Sequence, residues 1–210
     1  MITSDRRARM LLACAMDAGD PAVADLVQNL GADAAWAKIT EGALGEPAAE
    51  RAARLSLDDV ERAAKAAAMR FVVPGDDEWP DGLDDLRHAE HVQRRGGEPP
   101  GLWLRGPGHL AHLMQRSVAI VGSRAATAYG NGIATDLAAD LVEQGVTVLS
   151  GGAFGIDVAA HRGALACGTP PQFLCSKRGF HPQHAGIRYA ECPPCIRHGL
   201  RPLCMAIRGV

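Results

Sequence analysis

SVAIVGSRAATAYGNGIATDLAADLVEQGVTVLSGGAFGIDVAAH, residues Ser117 to His161, decides how the whole chain is read. Ser117 to Val121 is a short β-branched apolar run that stops at a glycine, as a buried parallel strand does. Gly122-Ser123-Arg124 opens a loop reaching Tyr129-Gly130. A helix follows, with Ile133, Ala134, Leu137, Ala138, Leu141 and Val142 at three-to-four-residue spacing and Asp136, Asp140 and Glu143 opposite, so one stripe is expected to pack on a sheet. Gly145 stops it. Val146 to Leu149 is a second apolar strand, broken by Gly151, Gly152 and Gly155, and a second helix begins near Ile156. The unit is βαβα. Handedness rules then call for a right-handed crossover, a parallel sheet and a binding site where both glycine loops leave the carboxyl ends of their strands.

The chemistry of those loops is that of anion binding. Amides at a helix start lie at the positive end of its dipole and hold an anion without a side chain, while glycine lets the anion come close. The first loop adds Arg124, whose planar donors suit phosphate oxygens, and the hydroxyls of Ser123 and Thr127. The second adds Ser150 beside its glycines. Two adjacent anion sites suit a polymer of phosphates or a dinucleotide better than a small acid. The dinucleotide fingerprint GxGxxG is not met by GSRAATAYG, and Gly130 and Gly132 stand too late to supply it. Asp157 and His161, spaced i, i+4, fit either an acid–base pair or a brace in which Asp157 caps loop amides and His161 hydrogen-bonds it; bracing is the stronger reading.

Composition limits the remaining possibilities. The chain has 210 residues, is 47% apolar, and carries a formal net charge of -2, so any attraction to nucleic acid must be local. No apolar run is long enough to span a bilayer, and the stretch after Arg6, Arg7 and Arg9 is interrupted at Asp17, so a cytoplasmic helix is expected in place of a leader. Six cysteines without an export signal imply reduced thiols.

Residues 1–70 read as a small alanine-rich helical domain, with helices near 6–16, 22–30, 33–39 and 57–69. Leu30-Gly31 before Ala34, Ala35 and Trp36 resembles a helix-hairpin-helix turn, although an apolar residue before glycine is also an ordinary helix end, and Trp36 is expected in the core. Residues 71–170 form the Rossmann-like part, entered through Phe71-Val72-Val73, the acidic turn at Asp76 to Pro80, and a short strand at Leu102 to Leu104. Arg94 and Arg95 are expected to be solvated, and His109 with His112 lacks the third ligand a metal site needs. Residues 171–210 differ in kind: they hold six basic side chains against one acidic, four of the six cysteines, and no apolar periodicity.

The succession VAIVGSR, YG, LSGGAFGID and AH, with Trp79-Pro80, Leu83, Pro100, Leu102 and Gly106 upstream, resembles the DNA-processing protein A family, also called DprA or Smf. The resemblance covers about residues 1–169. It implies an α/β protein, with a small all-helical N-terminal domain followed by a Rossmann-like parallel-sheet domain that is incomplete at the C-terminus. It further implies a cytoplasmic, non-enzymatic protein of natural transformation that needs no cofactor. Such a protein binds single-stranded DNA, forms a homodimer, protects incoming DNA and helps load the RecA recombinase. Carried over by position, Gly122, Ser123, Arg124, Tyr129 and Gly130 form one phosphate-binding loop, and Ser150, Gly151, Gly152 and Gly155 the other.

After Gly168-Thr169-Pro170 the resemblance stops. The family's third apolar strand and its tyrosine-proline motif find no counterpart, beyond a stub at Gln172-Phe173-Leu174. The tail is therefore expected to be a disordered, frameshifted translation, which also puts the dimer in doubt. Two other functions stay open. A Rossmann-type nucleotide-binding enzyme would use the same loops but lacks its PGGxGTxxE-like motif. A zinc-binding interaction module would rest on Cys192 and Cys195 with Cys175, Cys204, His181, His184 or His198, without a second Cys-x-x-Cys pair.

Overall fold

The computed structural model describes residues 3–89 and 96–167, together with the backbone of 172–175 and 204–207. Two compact units divide it, one running up to Trp103 and the other beginning at Leu104. The boundary expected at residue 70 falls within the strand Met69–Val72, inside the first of them.

Five helices make most of the first unit: α1 (Ser4–Ala15), α2 (Pro21–Leu30), α3 (Ala32–Thr40), α4 (Glu46–Ala53) and α5 (Leu57–Ala66). Their starts follow from local chemistry. The Thr3 hydroxyl accepts the Arg6 amide at 3.3 Å, and Asp20 accepts that of Ala22 at 3.0 Å, ahead of a proline that needs no partner for its nitrogen. Gly31, at φ 81, both ends α2 and begins α3. Leu12, Val23 and Ile39 form the core, with Trp36 packed against it as expected. The sequence reading missed α4, because its buried stripe consists only of Ala48 and Ala52 and leaves no strong apolar period.

Arginine side chains join these helices to the segment that follows. Arg6 donates to the Phe71 carbonyl at 2.8 Å and to Asp76, Arg9 donates to the Pro100 carbonyl at 3.1 Å, and Arg51 donates to the Ala15 carbonyl at 2.9 Å. Each satisfies a main-chain carbonyl. β1 (Met69–Val72) neighbours β2 (Leu102–Arg105), and the rings of Phe71 and Trp103 meet at 4.6 Å. A 3₁₀ helix at Asp81–Arg87 lies between them in sequence, and its Asp84 accepts the indole N–H of Trp79 at 3.1 Å. Arg94 and Arg95 lie outside the described residues.

The second unit holds α6 (Leu110–Met114), β3 (Ser117–Ala119), α7 (Ala128–Glu143), β4 (Thr147–Ser150) and α8 (Ile156–Ala166). β5 (Gln172–Cys175) and β6 (Cys204–Ile207) complete it, in the strand order β6-β5-β4-β3. β3 pairs parallel to β4, Val118 opposite Val148, and β4 pairs parallel to β5, Ser150 opposite Phe173. β6 runs antiparallel to β5. The parallel βαβα order is as its sequence predicted, but the first strand, expected to be buried and to run to Val121, stops at Ala119 and is exposed at Val118 and Ala119. Two further expectations are corrected. The tail was read as disordered beyond a stub at Gln172-Phe173-Leu174; β5 is that stub, satisfying amides and carbonyls on the open β4 edge, and β6 is a strand the reading did not place. The cysteine and histidine ligands suggested for zinc there lie outside the described side chains.

The second correction concerns α7. Ala138 and Val142 are buried against Ile120, Val148, Ala160 and Ala164, and Ala134 is buried too, whereas Ile133 and Leu137 are half exposed. The cause is the close approach of α8. A Cβ on Gly163 would lie 2.0 Å from the Thr135 carbonyl, and the Thr135 hydroxyl donates to the carbonyls of Asn131 at 2.9 Å and Ala159 at 3.2 Å. Thr135 therefore faces α8, and the wider stripe predicted for the sheet is split between core and solvent. Gly163→Ala should force the helices apart and cost on the order of 1–3 kcal/mol, read as a lower urea midpoint at unchanged slope.

Candidate anion-binding site

Both glycine loops emerge at the carboxyl ends of adjacent parallel strands, and the structure fastens them to each other. The amide of Ile156, the first in α8, donates to the Ser123 carbonyl at 3.2 Å. Gly155, at φ 78, makes this possible, since a Cβ there would stand 2.2 Å from that carbonyl and 2.7 Å from the next, at Arg124. Gly122 serves the same contact from the other side: its missing Cβ leaves room for Ile156, whose Cγ1 would otherwise be 2.8 Å away. These glycines are explained by loop-to-loop packing before any ligand is considered.

Other residues singled out in the sequence fall into place around that contact. Ser123 and Arg124 are exposed on the first loop. Thr127 caps α7, accepting the Gly130 amide on its hydroxyl at 3.1 Å, so that hydroxyl and that amide serve each other. Tyr129 and Gly130, expected in the loop, belong to the first turn of α7, because this cap starts the helix at Ala128. Tyr129 is 79% exposed. Gly151 is exposed, and Gly152 takes a positive φ of 69 in the turn between them and α8.

Ser150 does not face the ligand side of the loops. It is buried, and its hydroxyl donates to the Ile120 carbonyl at 2.6 Å, tying β4 to the chain just beyond β3. Asp157 is also buried and accepts the Ala153 amide at 3.2 Å, which closes the second loop on the helix that follows it. His161 is fully buried, and the backbone of Ser150 hydrogen-bonds to it. Burial pushes its pKa down to about 4, against the smaller opposing effect of that hydrogen bond. The imidazole is therefore neutral at pH 7 and braced under the second loop.

What remains directed outward is the first loop, with its exposed arginine, on a second loop whose amides at Ala153, Ile156 and Val158 are already taken by the protein. Sequence reasoning missed two exposed apolar groups here, Val121 at 71% and Phe154 at 51%. Phe154 had a legible signal: an aromatic residue between two glycine turns and just ahead of a helix has no regular element to bury it. Among the described residues no three histidine, cysteine, aspartate or glutamate side chains gather to hold a metal ion, and no helix is long and apolar enough to cross a membrane.

A family model for the DNA recombination-mediator protein A matches residues 70–171. The chain is 40% identical over 150 residues to a Mycobacterium tuberculosis protein named for DNA processing, DprA, in strains CDC 1551 / Oshkosh and ATCC 25618 / H37Rv. That match takes in 68% of this chain and 38% of each relative, so the chain spans well under half of their length. The X-ray structure of DNA processing protein A from Streptococcus pneumoniae is similar in fold, with a TM-score of 0.56 and 20% identity over 98% of this chain and 68% of that one.

The buried imidazole makes stability depend on pH. Unfolding returns His161 to an ordinary pKa of about 6.5, so the unfolded chain binds a proton the native chain refuses between that value and about 4. Its contribution is full above pH 6.5 and is lost as pH falls toward 4, on the order of 3 kcal/mol in all. Urea midpoints from pH 7.5 to 4.5 should decline, and His161→Gln should flatten that decline whatever its own stability.

Proposed function

Since the chain belongs, through residues 70–171, to the family of the DNA recombination-mediator protein A, we propose that it binds single-stranded DNA through the phosphates and does so without turning it over. The observation that carries the reading is the Ser123–Ile156 contact, which holds the Gly122-Ser123-Arg124 loop at the end of β3 with Arg124 exposed. A guanidinium beside backbone amides is suited to successive phosphates, and nothing in such an arrangement selects among bases. In this reading Gly122, Ser123 and Arg124 touch the strand. Tyr129 and Gly130 flank it, and Ser150, Gly151, Gly152, Gly155, Asp157 and His161 hold the first loop in place.

Absence of turnover is proposed on the same ground. Asp157 and His161, the one acid–base pair near the loops, are buried and engaged with the backbone of the second loop. A base that is neutral but shielded has no path to a substrate proton. The wider role follows from the family: a cytoplasmic mediator of recombination in natural transformation, acting as a dimer, that shields an incoming strand and helps load the RecA recombinase. That role belongs to the full-length family and is tested separately from the phosphate contact.

Arg124→Ala should lower affinity for an oligothymidylate severalfold or more and reduce the slope of log affinity against log salt by about one contact. Anisotropy titrations from 50 to 300 mM salt measure both, and unchanged binding would exclude Arg124 as a phosphate ligand. Asp157→Asn should weaken the fold or the binding while leaving no nucleotide or DNA hydrolysis to lose; turnover that disappears in this variant would overturn the non-catalytic reading.

A further inference from the structure

Six aromatic side chains (Phe, Tyr or Trp) fall among the described residues, and they are not distributed alike. Phe71, Trp79 and Trp103 are buried and Trp36 is packed into the helical core, whereas Tyr129 is 79% and Phe154 51% exposed. Both exposed rings stand beside the fastened loops. Phe154 immediately precedes Gly155, where a Cβ would run into the Ser123 and Arg124 carbonyls, and Tyr129 immediately precedes Gly130, where a Cβ would lie 3.6 Å from Ile156 Cδ1. The two rings therefore flank the contact beside which Arg124 sits, one from the first turn of α7 and the other from the second loop.

We propose that Phe154 and Tyr129 are base-stacking platforms, so that this site takes unpaired nucleic acid with its bases turned onto the two rings while Arg124 holds the phosphate between them. The proposal rests on the phosphate-binding reading above and adds the basis on which single strands are chosen over duplex. Every base has a π-face, so stacking favours unpaired strands without favouring a sequence, whereas a duplex keeps its bases stacked on each other. A ring left in water next to a cationic loop gains contact area only when a planar ligand covers it. Ile133 and Leu137 continue the Tyr129 face along α7, and a purely apolar docking surface would draw on them equally. Phe154 lies on the other loop, outside that stripe, and is the residue that separates the two ideas.

The test compares three ligands on the whole chain by fluorescence anisotropy: an oligothymidylate, a deoxyribose-phosphate oligomer of the same length without bases, and a duplex of that length. The oligothymidylate should bind at least tenfold more tightly than the abasic oligomer; Phe154→Ala should remove most of that preference while leaving abasic binding unchanged, and Tyr129→Ala should lower the ratio of the two affinities. Phe154→Trp should retain the preference and Phe154→Leu should lose it, which separates a π-face from mere apolar bulk. Equal affinity of the unaltered chain for the two single-stranded ligands would overturn the platform and leave the phosphate reading standing. Loss of both ligands in Phe154→Ala, or no change in either, would also overturn it. Binding of neither ligand by the unaltered chain would remove the phosphate reading and the platform with it.

Discussion

One hydrogen bond, from the Ile156 amide to the Ser123 carbonyl, organises the second unit. It joins the end of one βα turn to the start of the next helix, and it exists only because Gly155 and Gly122 carry no Cβ where the loops meet. Most of the features around it serve to maintain it. Ser150 fixes the end of β4 to Ile120, Asp157 closes the second loop on Ala153, and His161 is held by the backbone of Ser150 from beneath. Buried polar side chains are costly when they lack a partner. The Ser150 hydroxyl and the Asp157 carboxylate both find main-chain partners, the Ile120 carbonyl and the Ala153 amide, so burying them helps to set the shape of the turns.

This arrangement changes how the glycines are understood. A glycine-rich loop invites the inference that each glycine makes room for a ligand, and at the first loop that inference still has force. At Gly155 and Gly122 the room is filled by the protein itself. The division of labour is asymmetric: one loop is presented, the other presents it. A helix N-terminus that could have held an anion, that of α8, gives its first amide to the neighbouring loop instead.

The βαβα unit was legible because its strands are short, apolar and cut off by glycine, signals that depend on neighbours in sequence alone. The same locality explains the cap at Thr127, which moved the start of α7 ahead of Tyr129 and out of reach of a reading that saw only the glycine at 130. The exposed half of the α7 stripe was not legible. Ile133 and Leu137 have the right spacing for a core, and only the contact of Thr135 with Gly163, 28 positions apart in the chain, turns them to solvent. Ser150 misled for a related reason: a serine beside glycines looks like a ligand, and the Ile120 carbonyl that occupies it stands 30 residues away. β6 was missed, and β5 was legible only as a stub, because four-residue strands in a basic, proline-rich segment show no period of their own; pairing with β4 and with each other defines them.

β3 is three residues long and stands last in its strand order, with β4 on one flank. So short a border offers too few free amides to template another chain, and it is a poor seed for misassembly. Its position also bears on topology of a different sort. A pocket enclosed between central strands must be entered end-first by a thread, but a ledge at the margin of a sheet can be met sideways. On the proposed reading, a filament crossing the Ser123–Arg124 ledge would be captured anywhere along its length, without a free terminus, and released the same way.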